Sequence, residues 1–172
     1  MCQGVMRNSC QKLGYDLTND FVVFPRRLKQ AHDTAFKRVE TLKAKERAKM
    51  LDNLSKELGG YFTRIQSDYG FADKEYAVIA PKNLNEIVKE GHALRHCVGA
   101  YAEDVGENGR TFLFLRLQSD ATKPFYTMEV HGGRVTQCRG KSNCDMTDDV
   151  KQFVDLFEKR VLSAKSLPLR AG

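Results

Sequence analysis

The hydrophobic period of this chain changes twice along its length, and that change restricts the fold more than any single motif. From Leu28, apolar residues recur every three or four positions through Ala31, Ala35, Val39 and Leu42. The stripe resumes at Ala48, Leu51, Leu54 and Leu58. This is the periodicity of one helix face, and Gly59-Gly60 supplies a stop. Further on, Phe112 to Leu117, Phe125 to Val130 and Arg134 to Arg139 read as three strands, the last two joined through His131-Gly132-Gly133. After Thr147, a good helix cap, the helical period returns in Val150, Phe153, Val154, Phe157 and Val161. The pattern predicts an α+β fold: N-terminal helices packed on a small, mainly antiparallel sheet, with a C-terminal amphipathic helix.

The remaining segments are less regular. Residues 1–24 show no clear period, and Phe21-Val22-Val23-Phe24 is a short strand-like run ended by Pro25. Tyr61 to Ala80 reads as extended, with a hairpin around Asp73-Lys74 between Tyr69-Gly70-Phe71 and Tyr76-Ala77-Val78-Ile79. Asn83 or Asn85 caps a helix through Leu84, Ile87, Val88 and Leu94, which is expected to deliver His92, His96 and Cys97. Gly106-Glu107-Asn108-Gly109 is a turn. The resulting division is an N-terminal extension (1–24), one α+β domain (25–165) and a frayed tail (166–172).

The 172 residues are enough for one domain with a real core, and 41% hydrophobic with 29% charged content belongs to a globular chain. No apolar run approaches the roughly 18–20 residues of a membrane-spanning helix, and Met1–Met6 lacks the basic and apolar regions of a signal peptide. The expected compartment is the cytoplasm. The five cysteines (Cys2, Cys10, Cys97, Cys138, Cys144) are irregularly spaced and read as thiols. The net charge of +6 is concentrated. Arg26 to Lys49 contains nine basic residues against three acidic ones, leaving 19 of each sign elsewhere. Arg38, Lys43, Lys45, Arg47 and Lys49 are therefore the candidate nucleic-acid contacts. They scatter around the helix rather than form a narrow track.

Chemistry concentrates near Gly91–Tyr101. Cys97 is a candidate nucleophile with His96 as acid/base. On a regular helix adjacent side chains diverge by about 100°, so the two would meet only if the helix breaks, which Gly99 permits. His92 and His96 stand at the i, i+4 spacing of a metal pair, and Cys138 and Cys144 could complete a zinc site. The compact spacing of a strong zinc motif is missing, and neither a metal nor a cofactor is expected. On the strands, alternation groups Phe112, Phe114 and Arg116; Phe125, Thr127 and Glu129; and Val135, Gln137 and Arg139. A three-residue hairpin loop would place Glu129 on the Gln137 and Arg139 face, whereas a two-residue loop would place it on the other. Arg139, Lys141 and the backbone around Gly140 form a possible anion-binding turn.

Taken in order, Glu90-Gly91, His96-Cys97-Val98-Gly99, Tyr101, Arg116, Pro124-Phe125-Tyr126-Thr127-Met128-Glu129-Val130, Gln137, Arg139-Gly140 and Asn143 resemble the PcfJ-like family of conjugative plasmids, phages and related mobile elements. Phe24-Pro25 and Ala31-His32-Asp33 resemble its upstream segment, so the similarity covers most of residues 20–160. The resemblance implies a mobile-element context and supplies no reaction or cofactor; His92 and His131 take no role from it. It also implies that the chain is a short member or the C-terminal part of a longer protein. The candidate site is accordingly His96, Cys97 and Glu129 for catalysis, with Tyr101, Arg116, Gln137, Arg139, Lys141 and Asn143 for ligand binding. The expected function is binding of nucleic acid or a nucleoprotein partner. The alternatives are a Cys/His hydrolase or transferase acting on a nucleotide-like or acyl substrate, and a protein-interaction domain that counters a host system.

Overall fold

A computed structural model describes residues 2–23, 25–105 and 109–166. Phe24, residues 106–108 of the expected turn, and residues 167–172 of the expected tail lie outside the described residues. The chain divides into two compact units, residues 1–50 and 51–172, and each is described by itself.

Unit 1 is helical. It contains α1 (Cys2–Lys12), α2 (Asp20–Val23) and the first part of α3 (Leu28–Glu57). The aperiodic start of the chain is thus mainly helix, and the strand-like run at 21–23 is a short helical turn instead. Three β-branched or aromatic residues suggest a strand, but a strand needs a partner edge, and none is present in this unit among the described residues. Cys10, Ala35 and Val39 are buried, with Leu13, Tyr15, Val22, Leu28 and Ala31 packed around Cys10 and Ala35. The helix predicted by the long stripe is one continuous 30-residue element, and Gly59 ends it at φ +53°.

Unit 2 is an α+β domain. Its sheet has five antiparallel strands in the order of the chain: β1 (Phe71–Ala72), β2 (Tyr76–Ile79), β3 (Thr111–Leu117), β4 (Tyr126–His131) and β5 (Arg134–Arg139). The hairpin about Asp73-Lys74 forms, with Phe71 opposite Val78 and Ala72 opposite Ala77. The extended reading fails only at its start: Tyr61–Tyr69 is a helix, α4, that buries Phe62 and Ile65. Aromatic and β-branched residues raise strand propensity here, but two apolar side chains three positions apart, buried on one side, settle the helix.

α5 (Leu84–Leu94) and a 3-10 helix (Cys97–Asp104) carry the chain across one face of the sheet between β2 and β3. There Ile87, Val98 and Ala102 pack with Phe112 and Phe114, together with Leu51 from the end of α3 and Phe62 from α4. α6 (Asp148–Phe157), with Thr147 in the cap position, covers the other face. Its Val150, Phe153, Val154 and Phe157 pack against Val78, Leu113, Leu115, Met128 and Cys138.

The β4–β5 hairpin decides the site. Its loop is the two-residue one, Gly132-Gly133, with His131 opposite Arg134 and Val130 opposite Val135. Regular pairing would then put Glu129 opposite Thr136. Glu129 faces Gln137 instead, because β5 carries one extra residue, Thr136, as a β-bulge. The Thr136 hydroxyl donates to the Glu129 carbonyl oxygen at 3.2 Å. Val135 therefore packs on the α6 side with Cys138, while Gln137 and Arg139 join Glu129 and Thr127 on the opposite side. The grouping of Val135 with Gln137 and Arg139 is overturned, and so is the expectation that a two-residue loop would part Glu129 from Gln137 and Arg139, because the bulge brings them together.

Candidate functional site

The sequence Leu84–Leu94 forms a helix because Asn83 caps it, its Oδ1 accepting the Glu86 N–H at 3.0 Å. Leu84, Ile87, Gly91 and Leu94 are buried on one face. The helix stops two residues short of His96. Arg95 adopts the left-handed conformation (φ 55°, ψ 49°), and the His96 N–H returns to the Gly91 carbonyl oxygen at 3.0 Å. This is a Schellman-type ending with arginine where glycine is usual. His92 and His96 consequently do not share a helix face, so the i, i+4 metal pair fails. Among the described residues no group of three or more His, Cys, Asp or Glu could hold a metal ion.

His96 opens the next helix. Its Nδ1 accepts the Val98 N–H at 3.5 Å, so the neutral ring carries its proton on Nε2. That nitrogen is buried and has no hydrogen-bond partner among the described residues. Burial pushes the imidazole below its usual range, against smaller opposing contributions from a backbone hydrogen bond and the Glu90 carboxylate. His96 is thus set as a neutral hydrogen-bond donor rather than as a base.

Two glycines fix the 3-10 helix against α5. A Cβ on Gly91 would sit 2.8 Å from the Gly99 nitrogen, and one on Gly99 would sit 3.1 Å from Val88 Cα. Glu90, next to Gly91, is buried and receives both arms of Arg116, Nη1 to Oε1 at 2.8 Å and Nη2 to Oε2 at 2.6 Å. The Thr127 hydroxyl adds a longer bond to Oε1, 3.4 Å, and the guanidinium lies 4.7 Å from the Phe114 ring centroid. Much of the Glu90-Gly91 and Val98-Gly99-Ala100 pattern therefore builds the support of the site.

Above this support lies a cleft. His96, Cys97 and Tyr101 come from the start of the 3-10 helix, Thr127 and Glu129 from β4, and Gln137, Arg139 and Asn143 from β5 and the following turn. Val98 and Phe112 complete its lining. It encloses about 40 Å³, a few times what one water needs and far below a whole small-molecule pocket. Cys97 is exposed, as is Tyr101. Arg110 links the rim: its Nε is 3.2 Å from Glu129 Oε1, and its guanidinium lies 5.8 Å from the Tyr101 ring centroid. Arg139 pairs with the exposed Asp145. In the turn after Arg139, Ser142 and Asn143 both have positive φ (57° and 61°), a conformation that disfavours L side chains.

Seven residues expected from sequence thus meet here: His96, Cys97, Tyr101, Glu129, Gln137, Arg139 and Asn143. Arg116 does not reach the cleft, being spent on Glu90 beneath it, and Lys141 is exposed beside it. Glu90, Thr127 and Arg110 join the site without having been expected in it. Glu90 had a signal: a carboxylate three positions after Ile87 on an otherwise apolar helix face demands a buried partner. The basic candidates lie elsewhere, on α3. Lys43, Lys45 and Lys49 are exposed, Arg47 is half-buried, Lys43 pairs with Glu40 at 2.9 Å, and Arg38 donates to the Tyr15 hydroxyl.

A roomier cavity, about 360 Å³, lies in unit 1 against Cys10, Tyr15, Val22, Pro25 and Ala35. Its walls are mainly apolar; Arg27, Gln30 and Thr34 are its polar lining residues, and no carboxylate is among them. Polar convergence, rather than volume, marks the sheet cleft as the candidate site.

A family model described as "PcfJ-like protein" matches residues 6–154. An uncharacterized protein of Listeria innocua serovar 6a (Lin1253/Lin1744) is 30% identical over 165 residues, covering 91% of this chain and 33% of that relative. The chain therefore spans about a third of the length of the curated relative it matches. No solved structure matches it.

Proposed function

Since this chain belongs to the PcfJ-like family, we propose that it is a binding module of a mobile genetic element, engaging nucleic acid or a nucleoprotein partner. The observation that carries the reading is the concentration of charge: the nine basic residues of Arg26–Lys49 hold the whole net excess. Lys43, Lys45 and Lys49 carry their charges on exposed helix surface. Such a surface gains affinity by releasing counterions from phosphates. The Lys43–Glu40 pair is half-exposed and worth little, so it leaves Lys43 available to a stronger anion. The sheet cleft supplies what charge alone lacks, a set of fixed donors and acceptors able to select a group on the partner.

The test is retention on nucleic acid across a salt series. Binding falls steeply with salt. Neutralising Lys43, Lys45, Arg47 and Lys49 together weakens it and flattens the salt slope by about one unit for each phosphate no longer engaged. Absence of retention at low ionic strength, or binding indifferent to salt, would overturn the reading.

One observation favours a second reading, a thiol-dependent hydrolase or transferase: Cys97 is exposed and shares the cleft with His96, Glu129 and Arg139. His96 is poorly set for it, because the nitrogen that would take the thiol proton already accepts the Val98 N–H. This reading requires Cys97 to alkylate much faster at neutral pH than Cys144, which is also exposed. Equal rates remove the covalent mechanism.

A further inference from the structure

The rim of the sheet cleft has an exposed aromatic platform, Tyr101. Tyr101 sits on the 3-10 helix whose inward residues Val98 and Ala102 are buried, and it faces the other way, 41% exposed. Among the described residues, the other large hydrophobic side chains so exposed, Phe36, Leu42 and Met50, all lie on α3 in unit 1. The Arg110 guanidinium lies over the Tyr101 ring, 5.8 Å from its centroid, and is tied by its Nε to Glu129. The platform is therefore held in place from the cleft itself.

Immediately inside this rim are groups that read an edge. Gln137 and Asn143 each offer an amide donor and an amide acceptor, and Glu129 offers acceptors only. The enclosed space is too small for a whole heterocycle. Arg139 lines the cleft and pairs with exposed Asp145, and Lys141 is exposed in the turn that carries Asn143. A flat face, a set of mixed donors and acceptors, and neighbouring cationic groups are the parts that a nucleotide matches with its base face, base edge and phosphate.

We infer that this cleft binds one unpaired base of a single-stranded nucleic acid, with the base stacked on Tyr101, its edge turned toward Gln137 and Asn143, and its phosphate directed to Arg139 and Lys141. The inference rests on the nucleic-acid reading of the preceding subsection and narrows it. Single strands are required because a concave cleft can receive a base edge only after the base has left its stack. An aromatic peptide side chain fits the platform as well, but phenylalanine has no polar edge and tyrosine or tryptophan only one polar group. Either would leave most of the amide and carboxylate groups without partners.

The experiment compares fluorescently labelled single-stranded RNA, single-stranded DNA and duplex DNA of equal length by anisotropy at low ionic strength, using the full chain. Single strands bind at least about 10-fold tighter than the duplex, and Tyr101→Ala costs the single-strand complex about 10-fold or more, the usual value of one stacked base. Tyr101→Phe, which keeps the platform and loses the hydroxyl, stays within about 2-fold of the parent. Because Tyr101 is exposed, Tyr101→Ala is expected to fold; an unchanged far-UV spectrum and melting temperature check this. Two results overturn the inference while leaving the wider reading intact: a duplex bound as tightly as single strands, or Tyr101→Ala binding like the parent with the salt dependence preserved. If no nucleic acid binds at low ionic strength, both fail.

Discussion

The two faces of the unit 2 sheet are built from alternate residues of the same strands, yet their chemistry differs. On the α6 side, Leu113, Leu115, Met128 and Cys138 meet Val150, Phe153 and Phe157, and the layer is apolar. On the other side the same strands present Phe112, Phe114, Arg116, Thr127, Glu129, Gln137 and Arg139. Apolar contact with α5 and the 3-10 helix covers Phe112 and Phe114, and the polar residues are left to an ion pair and a cleft. The α6 side supplies cohesion. The other side places polar groups at fixed positions, and does so at a cost in stability, because charges taken out of water need partners of excellent geometry.

This contrast can be broken in several ways. The largest effect is expected from emptying the apolar side: Phe157→Ala, at a fully buried position, should lower unfolding free energy by about 3–5 kcal/mol in urea titration. An equally large loss is expected on the polar side from Arg116→Met, which strands the Glu90 carboxylate and should cost about 3–5 kcal/mol. Here the double variant Glu90→Gln, Arg116→Met sharpens the comparison. It should regain most of the loss, whereas no partner substitution rescues Phe157→Ala. A single Arg116→Met costing under about 1 kcal/mol would mean that water reaches the pair.

A smaller effect follows from the close approach of the two glycines. Gly91→Ala places a methyl group against backbone, 2.8 Å from the Gly99 nitrogen, and should cost about 1–3 kcal/mol by overpacking. It should also weaken any ligand of the cleft, since the 3-10 helix must shift to make room. An unchanged melting curve would show that the two helices are not tightly packed.

The smallest effect concerns pH. Burial holds the folded His96 imidazole below its ordinary value of 6.5, so the folded state binds fewer protons than the unfolded chain. The stability tied to the neutral ring is fully present above that ordinary value and is lost as pH falls through the lowered one. Urea midpoints followed from about pH 8 to about pH 5 should therefore fall more for the parent than for His96→Asn, a variant that keeps a capping side chain. Parallel curves would remove the burial of this ring from the account.

The periodic parts of this architecture are legible in the sequence. The α3 stripe, the three later strands, the Asn83 cap and the α6 face are each written in repeats of apolar residues, and each appears with nearly the expected bounds. Tyr61–Tyr69 reads as extended because Tyr, Phe, Thr and Ile favour strands locally, while tertiary burial of Phe62 and Ile65 decides for helix. The break at Arg95 is hidden for a related reason, since glycine or asparagine normally announces a left-handed residue. The cleft is legible as a set of residue types but not as a geometry. Which of them meet depends on Arg116 finding Glu90 across 26 residues and on one inserted residue in β5.

That inserted residue has a wider consequence. Thr136 is the position in β5 at which the chain could lose a residue and still keep every side chain on its present face, because Gln137 would then follow Val135 in ordinary alternation and still oppose Glu129. Removing a residue from a regularly paired stretch would turn the remainder of the strand over. The bulge works like a clutch between the hairpin tip and the rest of the sheet. A longer loop, a tag or a fluorophore inserted between Gly132 and Gly133 can change the length and twist of the tip while Gln137 and Arg139 keep their alignment. The tip is therefore the place in this hairpin at which an experimenter can attach a probe with least disturbance of the strand faces.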